Sequence, residues 1–155
     1  MKYFMPILAM LALCLISTMA AHAHVETVSD LEIVHPWAKA SLKGVPNSAA
    51  YMAITNTGDT DDRLVAVSAE VSENTELHTM SMEEGVMRMR RIEGGLILPA
   101  GETVVLEPGG KHIMLIGLRR QLKPGDRFDL SFTFENAGEH TIEVRVPEAQ
   151  EDGGT

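Results

Sequence analysis

Two imidazoles and several thioethers recur at short intervals in the second half of the chain: His78, Met80, Met82, Met87, Met89, His112 and Met114. A β-strand points residues i and i+2 to one face, so His78/Met80, Met87/Met89 and His112/Met114 would each present their side chains together. Thioether sulfur is neutral and polarisable, needs no deprotonation and cannot form a disulfide. Such donors suit Cu(I), while imidazole adds affinity and also accepts Cu(II). Zinc would recruit cysteine, more histidine or carboxylate, and calcium would want an oxygen cage that no run of Asp and Asn here supplies.

Taken singly, the same residue types have plainer readings, a methionine as core filler and a histidine as a surface or hydrogen-bonded group. Met52 belongs to the core class. Trp37, following His35 and Pro36, reads as an anchor under a strand end, and His140, beside a turn, as solvated. Arg88, Arg90 and Arg91 alternate with methionines and mark the exposed face of an edge strand.

The compartment restricts the chemistry further. Lys2 precedes a long apolar run that ends in Ala21-His22-Ala23, the pattern of a secretory signal peptide over residues 1–23, cleaved to leave His24 first. The destination is the periplasm. Cys14, the only cysteine, lies inside this segment, and the bulky Leu13 before it does not suit a lipid-attachment site. The mature chain therefore has no thiol, which excludes disulfides, thiolate catalysis, Fe–S clusters and a cysteine-ligated blue-copper centre. Without Lys2 it carries 12 basic and 22 acidic residues, a formal charge of −10, and no long basic stripe. Nucleic acid and anionic membranes are thereby disfavoured as partners, and no later segment is long and apolar enough to be inserted in a membrane.

The elements that must position the donors are short strands, since apolar and polar residues alternate in brief runs and no stretch keeps a helical period. The clearest run is Arg127 to Phe134, followed by Thr141 to Val146, with Asn136-Ala137-Gly138 as the turn of a hairpin. Earlier runs are Leu31 to His35, Ala49 to Asn56, Arg63 to Ser68, Thr75 to Met80, Val86 to Ile92, Thr103 to Leu106 and His112 to Gly117, separated by Pro- and Gly-containing turns. Eight or nine such strands imply an all-β, antiparallel sandwich or barrel in a single domain, residues 24–147, with 148–155 as a flexible acidic tail.

In order, the donors spell His78, ten residues, Met89, a turn-rich spacer, then His112-x-Met114. This wording, with "ELHTMSMEEGVMRMR", "LPAGETVVLEPGGKHIMLIGL" and "HPWAKAS", resembles the periplasmic copper chaperone family called PCuAC, whose signature is H(M)x10Mx21HxM. The resemblance runs from about Ile33 to Val146. It implies a cupredoxin-like (immunoglobulin-like) β-sandwich, a monomeric non-enzymatic carrier of Cu(I), and delivery to an acceptor such as cytochrome c oxidase or another copper chaperone. The ligands it implies are His78, Met89, His112 and Met114. One departure is that the spacer between Met89 and His112 holds 22 residues instead of 21. If the extra residue sits in the Glu93-Gly94-Gly95 turn it costs little; if it slips the register, Met89 turns away and Met80 or Met82 is the replacement.

An N-terminal His24 could chelate Cu(II) through amine and imidazole, with His35 or His140 as helpers, although a floppy start without a defined role is the simpler expectation. Rival functions are copper storage or resistance, a copper-dependent oxidase built on a His24 brace, an electron-transfer cupredoxin, and a metal-free adhesion module. The oxidase lacks a recognisable general acid or base. The electron-transfer reading lacks the thiolate.

Overall fold

A computed structural model describes residues 24–148. The expected signal segment, 1–23, and nearly all of the expected acidic tail lie outside that range. Eleven strands follow one another: β1 (Val25–Val28), β2 (Leu31–Ala38), β3 (Asn47–Asn56), β4 (Asp62–Ala69), β5 (Ser72–Glu83), β6 (Val86–Arg91), β7 (Leu96–Leu98), β8 (Thr103–Leu106), β9 (His112–Leu118), β10 (Arg127–Phe134) and β11 (Gly138–Arg145). Their hydrogen-bonded order is β6-β5-β9-β3-β2-β11-β10-β4-β7, with β1 added to β2 and β8 to β3. Every pairing is antiparallel except the short parallel contact of β2 with β11 through Trp37 and Arg145. The fold is the expected cupredoxin-like sandwich.

Alternation builds the core. Phe128, Leu130, Phe132 and Phe134 of β10 are all buried, and they meet Ile142 and Val144 of β11, Leu31 and Ile33 of β2, Ala50, Met52 and Ile54 of β3, and Leu77, Ile113 and Leu115 of β5 and β9. Met52 is core filler, as expected. Because Leu77 and Ile113 point inward, the period of two sends their neighbours His78 and His112 to the opposite face.

Two strands had no sequence signal. β1, with the sequence VETV, does not alternate, and β7, with LIL, is three apolar residues in a row, so neither shows a period of two. Pairing of β1 with β2 also means that the chain does not start loosely after His24, contrary to expectation. Nor does Pro36 end a strand, since β2 continues to Ala38 across a register shift between Val34 and Trp37. His35 takes a left-handed φ of 51° in this irregularity while its N–H still donates to the His24 carbonyl at 3.0 Å. A bulge can absorb the N–H that proline lacks. Trp37 is consequently a strand residue opposite Tyr51, with ring centroids 4.6 Å apart.

Candidate metal centre

The β5–β6 hairpin sets the geometry of the donors. Glu83 pairs with Val86, and the two loop residues between them, Glu84 and Gly85, have φ values of 51° and 79°. Two consecutive positive φ values in a two-residue loop describe a type I′ turn, whose twist matches that of the flanking strands. Such a tight turn locks the register. Met82 then faces Met87, Met80 faces Met89, and His78 faces Arg91.

On its other edge β5 pairs with β9, which puts His78 opposite His112 and Glu76 opposite Met114. One face of three adjacent strands therefore holds His78 and His112 side by side, with ring centroids 5.8 Å apart. Met89 and Met114 flank His78 on opposite diagonals, a spacing of about 7–8 Å that long side chains can bridge. The longer spacer does not turn Met89 away, because the hairpin register keeps it on the face of His78. Met80 and Met82 share that face as well.

Hydrogen bonding assigns the lone pairs. His112 is 3% exposed and its Nδ1 lies 3.1 Å from the Gly110 carbonyl, an acceptor only, so Nδ1 carries the proton and Nε2 the lone pair. His78 is the reverse case. Its Nε2 lies 2.8 Å from Glu76 Oε2, while Nδ1 is buried and has no hydrogen-bond partner among the described residues. A carboxylate acceptor on Nε2 puts the proton there and leaves Nδ1 free to donate electrons to a metal. An orphaned buried nitrogen is costly unless something binds it.

Glu76 is the residue that the sequence reading missed. The hydrogen bond from His78 and, secondarily, the charge of Arg91 hold its carboxyl below the usual carboxylate range against an opposing effect of burial. Arg91 Nη1 lies 3.4 Å from Glu76 Oε1. Arg91 thus departs from the expected outward group of arginines, since the period of two puts it on the face of Met87 and Met89, and only Arg88 and Arg90 turn to the other side. Those two engage Glu83, Arg90 at 2.7 and 2.9 Å and Arg88 at 3.4 Å. For His112, burial depresses the pKa below the ordinary histidine value, opposed by the Gly110 carbonyl and reinforced by nearby His78. Tyr51, with its ring centroid 6.4 Å from that of His112, closes the side toward β3.

The other histidines are elsewhere. His24 and His35 line one pocket together with Trp37, Arg127, Arg145 and Glu148, and His24 Nε2 lies 3.1 Å from Glu26 Oε1. Charges of both signs surround that pocket, since Arg127 is paired with Glu143 and Glu148 lines it beside Arg145. His140 is half-buried rather than solvated, with Nε2 2.7 Å from the Ala137 carbonyl and its ring beside Phe134. It does not join the pocket of His24. Among the described residues no group of three or more His, Cys, Asp or Glu is placed to hold a metal ion, so the clustered donors are those that include methionine.

Fold and face together define a small cupredoxin-like domain that gathers imidazole and thioether donors on one face of three adjacent strands. Residues 31–146 match the family model "LpqE-like: Putative lipoprotein LpqE-like". Among solved structures, the apo PCuAC domain of PmoF2 is 31% identical with a TM-score of 0.67, the match covering 80% of this chain and 94% of that one. The copper-bound PCuAC domain of PmoF2 is 29% identical, with a TM-score of 0.69 over 81% of this chain and 99% of that one. The chain belongs to the LpqE-like family, and its fold unit is a PCuAC domain. A curated relative, "Putative lipoprotein Lxx21020" of Leifsonia xyli subsp. xyli (strain CTCB07), is 29% identical over 116 residues, which is 75% of this chain and 69% of the relative. The family description and the name of this relative are those of lipoproteins, which supports a location outside the cytoplasm.

Proposed function

We propose that this domain carries Cu(I) in the periplasm, holding it with His78 Nδ1, Met89, His112 Nε2 and Met114 and handing it to an acceptor protein such as cytochrome c oxidase or another copper chaperone. The observation that supports this reading most is the pair of imidazole lone pairs left free on one face, one of them on a buried nitrogen without a partner. Glu76 and Arg91 neutralise one another beside it, so the face adds no charge of its own and suits a soft monovalent cation. In this reading residues 24–147 form the copper-binding domain after removal of residues 1–23, 148–155 are a solvated tail, and the copper-bound relative carries its ion on the equivalent fold unit.

Delivery is favoured over storage by exposure. Met89 is 46% exposed, so an incoming ligand could displace it first while the buried imidazole of His112 still holds the ion. Neutral donors exchanged one at a time need no proton transfer and no change in oxidation state. The domain shields the ion between donor and acceptor and performs no reaction on it.

Anaerobic titration of the exported protein with Cu(I), against a chromophoric Cu(I) chelator, tests the reading. One equivalent should be withheld from the chelator. Met114→Leu and His112→Gln should weaken that equivalent, and the leucine variant should leave the apo fold intact because the volume is conserved. Failure to compete with the chelator would end the copper reading, and full retention of affinity in both variants would end the proposed ligand set.

A further inference from the structure

Three methionines of the face, Met80, Met82 and Met87, are not used by the proposed ligand set. Met82 and Met87 sit opposite one another at the last rung before the hairpin turn, 63% and 45% exposed. Between them and the imidazoles lies a second rung, Met80 opposite Met89. Strand geometry separates successive rungs on one face by about 6.5–7 Å and puts the two members of a rung about 4.5–5.5 Å apart at Cβ. The result is a ladder of paired thioethers that runs from open solvent to His78.

The other face of the hairpin shows that this is not the ordinary composition of an edge. There stand Ser81, Glu83, Arg88 and Arg90, tied by the Glu83 contacts to both arginines and by Ser81 Oγ donating to Glu83 Oε1 at 3.2 Å. The charged side chains on the outer strands of the hairpin are thus gathered on one side, with Glu84 in the turn itself and the Glu76–Arg91 ion pair at the base of the soft side. The soft side leaves large apolar groups in water, with no core beneath them to bury them. Met52, 3% exposed in the core, is what packing does with a methionine in this fold.

We propose that Met82 and Met87 form a separate, weaker subsite for Cu(I) at the hairpin tip, from which the ion passes over Met80 and Met89 to the imidazoles. Two neutral thioethers bind a soft monovalent ion without displacing a proton, and each step exchanges one thioether for the next with no electron transferred. Capture at the tip makes the later transfer intramolecular, and so it raises the local concentration of the ion at the imidazoles. The inner end of this path rests on the ligand set proposed above.

The test uses Ag(I), a closed-shell soft monovalent probe, on the exported protein labelled with 13C at methionine methyls and histidine ring carbons. With the first equivalent, the signals of His78, His112, Met89 and Met114 should shift. With the second, the methyls of Met82 and Met87 should shift. In M82L/M87L the first response should persist and the second disappear, while loading with Cu(I) from a chelated donor slows roughly tenfold at unchanged affinity for the first equivalent. Methyls of Met82 and Met87 that stay unmoved through two equivalents overturn the proposal, as does an unchanged loading rate in M82L/M87L. If the tip methyls move while both imidazoles stay unmoved, the tip site stands and the imidazole ligand set fails.

Discussion

At the scale of single residues the chemistry turns on which nitrogen of each imidazole carries a proton. Glu76 makes that choice for His78 across 2.8 Å, and the Gly110 carbonyl makes it for His112. Carboxylates that orient a metal-binding histidine contribute about 10–100-fold to metal affinity in general. Glu76→Ala should accordingly weaken Cu(I) binding by about one to two orders of magnitude in the chelator competition, and Glu76→Gln, which keeps an oxygen acceptor, by clearly less. Nitrogen-15 spectra of the apo protein should show His78 protonated at Nε2 in the parent and a tautomer mixture in Glu76→Ala. Burial also predicts a pH dependence of the apo fold. The pKa of His112 is lower folded than unfolded, so the unfolded chain takes up the proton first. Its stabilising contribution is whole above the unfolded value of about 6.5 and is lost as pH falls from there through the folded pKa. The groups nearest to it are His78 and Tyr51, with Arg91 opposite His78 on β6 and its ion-pair partner Glu76 two residues from His78 on β5. Urea unfolding between pH 7.5 and 5 should show stability falling toward acid in the parent and a flatter profile in His112→Gln.

At the scale of elements, strand register decides which donors meet. The type I′ loop at Glu84-Gly85 places three cross-strand pairs at once, and a slip of one residue would send every methionine of β6 to the charged side. A second turn guards the far end of the same strand. Gly95, with φ of 89°, approaches β4 so closely that a Cβ on it would lie 2.6 Å from the Leu64 carbonyl. Gly95→Ala should destabilise the fold by about 1–3 kcal/mol, through strain at positive φ and that clash, measurable as a lower urea midpoint with an unchanged slope. Much at this scale was legible in the sequence. Nine of the strands left a signal in their alternation or their turns, whereas VETV of β1 and LIL of β7 do not alternate, and Pro36 misled because a bulge absorbed it.

At the scale of the whole molecule, core and donor face are opposite sides of the same strands. Leu77, Ile113 and Leu115 hold the sandwich together from within, and His78, His112 and Met114 take no part in that core. The apo protein should therefore be fully folded, with the same far-UV circular dichroism as the loaded form. Cu(I) should add stability only by linkage, about 2.7 kcal/mol when free ion is 100 times Kd, seen as a rise in thermal midpoint under anaerobic conditions. Unfolding on removal of copper would contradict a preformed site. The amino-acid sequence by itself determined the all-β class, the absence of any thiol beyond Cys14 and the soft character of the donors, because these follow from composition, alternation and residue type. Only the tertiary structure decided that β5 lies between β6 and β9, that Met89 keeps the face of His78 despite a longer spacer, and that Glu76 and Arg91 join it. Strand neighbours and register arise from long-range pairing and turn geometry, and a local pattern of residues does not encode them.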